Sequence, residues 1–105
     1  MAFLFECDNG WFNIIWDLSE KIEKILQKSE NDYLKKYFEV VQVKEKYGAL
    51  SFYTSIANDE ILDEINNAEK KSIKTCEVCG DKGQITGTIW FKTLCEKCKK
   101  RFKYT

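Results

Sequence analysis

Two short stretches decide how this chain is built: Thr75-Cys76-Glu77-Val78-Cys79-Gly80, and Thr93-Leu94-Cys95-Glu96-Lys97-Cys98. They hold two C-x2-C pairs separated by fifteen residues. A two-residue gap lets both sulfurs of a pair face one ion, while the intervening backbone amides turn toward the thiolates. Two such pairs complete a closed tetrahedral set of four sulfurs, which suits zinc. Gly80 fits the tight turn after the first pair. Between the pairs, Gln84 to Leu94 carries Ile85, Ile89, Trp90 and Phe91, enough for a short hairpin that brings the chain back to the metal. The expectation is one Zn2+ per chain on Cys76, Cys79, Cys95 and Cys98, in a zinc-ribbon or treble-clef-like module over residues 75–105. Four thiolates leave no open coordination position, so the site reads as structural.

Other uses of the cysteines fit less well. The total of five is odd, so a disulfide scheme leaves one over. A thioredoxin-like pair wants a strand-to-helix junction in a βαβ unit, which the pattern does not offer. Nothing in the spacing prefers an iron–sulfur cluster. Cys7 reads as a small hydrophobe or an idle thiol, apart from the site.

Upstream, residues 1–74 read as a small α+β core. Asp8-Asn9-Gly10 forms a turn or cap cluster, after which Trp11, Ile14, Ile15, Leu18, Ile22, Ile25 and Leu26 recur at three- and four-residue steps. At about 100° per residue they form one stripe of an amphipathic helix running to Ser29. Glu20 and Lys24 form an i,i+4 pair on its other side. Tyr33 to Tyr37 fits a further short helical turn. From Phe38 the period changes: Val41 and Val43 alternate with Gln42 and Lys44, as in a half-buried strand. Tyr47-Gly48 breaks the run and Ala49 to Ser55 resumes it, which predicts an antiparallel hairpin. Residues 3–6 are a candidate extension of that sheet. Asn58 is a good N-cap for a second helix, with Asp59 and Glu60 in its first turn and Ile61, Leu62, Ile65, Ala68 and Ser72 as its buried stripe.

Composition narrows function. The chain of 105 residues is 44% hydrophobic, so it can form a core, and its 17 basic and 17 acidic residues cancel, which removes the strong field of a general nucleic-acid binder. Histidine is absent, which excludes Ser-His-Asp and Cys-His catalysis and histidine-ligated metal. The start, Met1-Ala2-Phe3-Leu4-Phe5, is too short an apolar run for a signal peptide or a membrane span, so a cytoplasmic protein with no membrane partner is expected. Reduced thiols in that compartment favour metal over disulfides.

Taken in order, Gly10-Trp11-Phe12, then Gln42-Val43-Lys44-Glu45-Lys46-Tyr47-Gly48-Ala49-Leu50-Ser51-Phe52-Tyr53, then Asp59-Glu60-Ile61 and Ala68-Glu69, then the Thr75–Gly80 pair and Thr93-Leu94-Cys95 resemble a widespread family of small uncharacterised bacterial and phage proteins. The resemblance spans Gly10 to Cys98. Its relatives often carry histidine at the last ligand position, where this chain has Cys98, an exchange that a zinc site tolerates. The resemblance implies an architecture and a phage or mobile-element setting, and no activity.

The remaining candidates are surfaces. Asp59, Glu60, Asp63 and Glu64 read as a solvated helix face rather than an acid/base pair. Trp16 lies about 140° from Trp11 around the first helix, with Phe12 between, so both sit off the main stripe. Phe12 and Trp16, with Lys44, Lys46 and Tyr47 as a weaker set, are the expected partner surface. Residues 76–105 carry seven basic and three acidic side chains, and four thiolates around a dication would lower that excess to about +2. Lys97, Lys99, Lys100, Arg101 and Lys103, interleaved with Phe102 and Tyr104, form a second candidate that would grip nucleic-acid phosphates. The leading expectation is a non-enzymatic module that binds a protein, in a phage setting an inhibitor of a host defence protein. The alternatives are nucleic-acid binding through the basic tail and sequestration of a small nucleotide signal.

Overall fold

The computed structural model describes residues 5–6 (backbone only), 9–87 and 90–101. A 3-10 turn, Asn9–Trp11, leads into α1 (Phe12–Lys28), followed by α2 (Asp32–Tyr37). The hairpin β2 (Val40–Lys46) and β3 (Ala49–Thr54) comes next, then α3 (Asp59–Ser72). A small second hairpin, β4 (Gln84–Thr86) with β5 (Lys92–Leu94), precedes α4 (Glu96–Arg101). The short β1 (Phe5–Glu6) adds to β2 in parallel, so the first sheet is ordered β1-β2-β3. The class is α+β, as the sequence predicts. No helix among the described residues is long and apolar enough to cross a membrane.

One face of the sheet receives both long helices. Trp11, Ile15, Leu18 and Ile22 from the first helical segment meet Ile61, Ile65 and Ala68 from α3, with Val43, Leu50 and Phe52 beneath. The stripe read from α1 is therefore the core stripe. On α3, Leu62 departs from expectation and is exposed, because it lies about 100° round the helix from Ile61 while Ile65, Ala68 and Ser72 stay in line. Asn58 caps α3 as predicted, its Oδ1 accepting from the Ile61 N–H at 2.8 Å, and Asn31 caps α2 in the same way through Leu34. At the entry to α1 the turn alternative holds: Asn9–Trp11 forms a 3-10 turn, and Trp11 occupies the cap position without a side-chain cap bond.

Two further departures have local causes. The register of β2 shifts between Val40 and Gln42, and this irregularity leaves Val41 exposed while Val43 is fully buried. Glu20 does not bond Lys24; its Oε1 accepts from the Trp16 indole N–H at 2.6 Å. The outer edge of β3 is covered by α3 side chains. Ser72 Oγ accepts from the Leu50 N–H at 2.9 Å and Glu69 Oε2 from the Phe52 N–H at 3.1 Å, which blunts an edge that could otherwise recruit another strand.

Candidate metal centre

The first cysteine pair sits in a backbone knuckle. The Gly80 N–H donates to the Cys76 carbonyl at 2.9 Å, and the Cys76 N–H donates to the Asp81 carbonyl at 2.7 Å. The second pair is carried differently: Cys95 directly precedes α4 and Cys98 lies in its first turn. Knuckle, hairpin and helix in that order make the treble-clef-like arrangement rather than a plain ribbon. The sequence did not announce α4, whose six residues are too few to show a helical period.

These elements bring all four cysteines together. Their sulfurs lie within 4.8 Å of one another, and Cys79 Sγ is 3.5 Å from Cys95 Sγ. A tetrahedral ion with metal–sulfur bonds near 2.3 Å sets neighbouring sulfurs about 3.8 Å apart, so the cluster has the size to hold one metal ion. Backbone donors face the sulfurs, as a thiolate site requires: the Cys98 N–H points at Cys95 Sγ at 3.4 Å. At Cys76, burial pushes the thiol up, but amides of Cys79, Cys95 and Val78 outweigh it and bring it down to about 7. Cys98 is pushed up to about 12, by burial first and then by the neighbouring sulfurs. The backbone amides thus favour the thiolate at Cys76, while burial and the neighbouring sulfurs oppose it at Cys98. Cys76, Cys95 and Cys98 are buried and Cys79 is exposed. Cys7 lies outside the described residues.

The knuckle also carries a buried charge that sequence reasoning missed. Glu77 is 1% exposed, and its Oε1 meets Lys92 Nζ from β5 at 3.0 Å. The signal available was a carboxylate inside a C-x-x-C gap with a lysine on the returning strand.

Three contacts join this centre to the rest of the fold, two at the entry to α1 and one at the β2–β3 turn, and none was legible beforehand. The Gly10 N–H donates to the Glu77 carbonyl at 2.7 Å, the Trp11 indole N–H donates to the Thr75 carbonyl at 2.8 Å, and the Thr93 hydroxyl donates to the Gly48 carbonyl. A side chain at Gly10 would meet the knuckle outright: a Cβ there would stand 2.1 Å from the Cys76 carbonyl oxygen.

The other candidates separate into surfaces. Phe12 and Trp16 are 51% and 56% exposed, and their rings stack at 6.0 Å with 21° between planes. Lys44, Lys46 and Tyr47 lie on the β2–β3 hairpin, a different element. Lys97, Lys99, Lys100 and Arg101 all fall on α4, while Lys103, Phe102 and Tyr104 lie outside the described residues. Of the acidic group on α3, Asp59 and Glu60 are exposed and Glu64 reaches Lys21 on α1 at 3.7 Å. No family model, curated protein or solved structure matches the chain.

Proposed function

We propose that this protein is a non-enzymatic interaction module, stapled by one zinc ion, that acts by binding another protein through the exposed face of α1. The observation that carries the reading is the contrast at the start of that helix. Trp11 is fully buried and fixed to Thr75, whereas its neighbours Phe12 and Trp16 are stacked on each other in solvent. Large aromatics held in place outside the core form the kind of patch around which interface energy concentrates. The four-sulfur donor set supports zinc over harder cations, and its closed geometry supports a structural role. The phage or mobile-element setting, with a component of host defence as the bound protein, is part of this proposal and rests on the motif resemblance alone.

Two measurements test this. Elemental analysis of the purified protein is expected to give one zinc per chain, lost in Cys76→Ser; absence of zinc would end the metal assignment. Trp16→Ala is expected to keep stability within about 1 kcal/mol, since only an exposed stack and one surface hydrogen bond are removed. The same change is expected to cost a partner captured from host lysate about 2 kcal/mol or more of affinity. Unchanged capture by Trp16→Ala would refute the surface.

A further inference from the structure

The face of the β2–β3 sheet turned away from the helices carries lysines and a tyrosine together. Register places Gln42 opposite Tyr53, Lys44 opposite Ser51 and Lys46 opposite Ala49, all alternate to the buried Val43, Leu50 and Phe52. Those six outward positions hold two cations and no anion. The hairpin's own acid, Glu45, is engaged elsewhere: its Oε2 accepts from the Gly48 N–H at 2.7 Å and closes the turn. β1 runs parallel to β2 with Glu6 in backbone register with Lys44. Among the described residues, neither Lys44 nor Lys46 enters an ion pair. The Tyr53 phenol is held below its usual value, first by the Ser51 hydroxyl and then by the Lys46 and Lys44 ammonium groups, against burial and the Glu69 carboxylate, so the two lysines and Tyr53 share one neighbourhood with Glu69 at its border.

The tip adds a second observation. Tyr47 and Gly48 both have positive φ, 55° and 86°, the pattern of a type I′ turn. Asparagine or glycine suits the first of those positions; a bulky aromatic residue is strained there. Tyr47 gains no burial in exchange, since it is 74% exposed. Strain kept at an exposed aromatic points to a role outside the fold.

We infer that this sheet face, with Tyr47 and Tyr53 as stacking surfaces and Lys44 and Lys46 as phosphate contacts, binds a short stretch of single-stranded nucleic acid. Bases stack on aromatic rings whatever their identity, and an open antiparallel sheet with flanking lysines supplies both surfaces and counter-charge. Four strand steps separate Ala49 from Tyr53, about 14 Å at 3.4 Å per residue, so the platform spans a few nucleotides. The site goes beyond the α1 surface and does not depend on it. It also differs from the basic α4, whose cations lie on another element.

The test is fluorescence anisotropy with a labelled oligothymidylate of about 12 nucleotides at low salt, within the range of known single-strand sites. The wild type is expected to bind with a log–log salt slope near −1.4, at about −0.7 for each of two phosphates. A Lys44→Glu/Lys46→Glu protein is expected to bind at least tenfold more weakly with its thermal transition retained. Tyr47→Asn is expected to move two readings in opposite directions, raising Tm while weakening binding several-fold. Trp16→Ala and Lys97→Glu/Lys100→Glu proteins are expected to bind as the wild type does. Four results would overturn the assignment: no saturable binding by the wild type, full binding by the Lys44→Glu/Lys46→Glu protein, loss confined to the α4 variant, or unchanged affinity in Tyr47→Asn. Equal competition by polyglutamate would also overturn it, assigning the face to acidic protein instead.

Discussion

Replacing Gly10 with alanine adds one methyl group, and the structure makes its consequences calculable. The new Cβ would lie 2.1 Å from the Cys76 carbonyl oxygen, 2.4 Å from the Glu77 carbonyl carbon and 2.5 Å from the Glu77 carbonyl oxygen. All three are backbone atoms of the metal knuckle, so no side chain can rotate aside. Either the knuckle or the helix entry must move. Moving apart breaks the Gly10–Glu77 hydrogen bond and draws Trp11 from its buried seat against Thr75. Overpacking of this kind costs about 1–3 kcal/mol, and the lost hydrogen bond adds about 1. A total near 3 kcal/mol corresponds to a fall in Tm of roughly 12–24 °C for a domain of this size. Thermal denaturation of the metal-loaded protein followed by circular dichroism reads this directly, with Asn13→Ala on the exposed side of the same helix as a control. The chelator concentration that strips the metal is expected to fall as well, because the displaced backbone carries two ligands. A Gly10→Ala protein with wild-type Tm and wild-type chelator resistance would refute the claim that core and metal centre share a rigid seam.

Three further outcomes follow from other contacts. Chelation or Cys76→Ser is expected to destabilise the helical core along with residues 75–101, visible as loss of Trp11 fluorescence protection, because structural zinc supplies on the order of 10–16 kcal/mol in small modules and the core leans on the knuckle. Trp11→Phe removes the indole donor to Thr75 and leaves a void where the larger ring was buried, and urea denaturation is expected to show a loss of about 2 kcal/mol or more. Burial raises the carboxyl of Glu69, while the Phe52 N–H opposes that shift. With the folded value above the unfolded one, the contribution of Glu69 to stability is present below the unfolded value and is lost as pH rises through the folded one. Glu69→Gln, which keeps an acceptor for Phe52, is therefore expected to abolish this pH dependence and match or exceed wild-type stability at neutral pH. Glu69→Ala, which orphans the Phe52 N–H, is expected to cost about 1–3 kcal/mol.

How far the sequence could be read depended on the distance over which each signal acts. α3 was legible almost residue by residue because its cap, Asn58 to Ile61, and its stripe are local. The four clustered cysteines were legible because C-x2-C spacing carries its own geometry, and the off-stripe angle of Phe12 and Trp16 flagged two of the aromatics that stand in solvent. The exposure of Val41 was hidden because a register irregularity leaves no mark in a two-residue alternation. The seam was hidden for a different reason. Gly10 meets Cys76 and Glu77, and Gly48 meets Thr93, across separations that no periodicity spans. Once that seam is known, the short motifs divide into two kinds of residue. In Gly10-Trp11-Phe12, sterics require the glycine and burial requires the tryptophan, but neither accounts for Phe12. In Lys46-Tyr47-Gly48, the buried glycine supplies the turn and contacts Thr93, whereas Tyr47 is strained and exposed. Folding explains one part of each motif and leaves an aromatic ring in water at the other, so Phe12 and Tyr47 are the positions at which the two proposed surfaces are best tested.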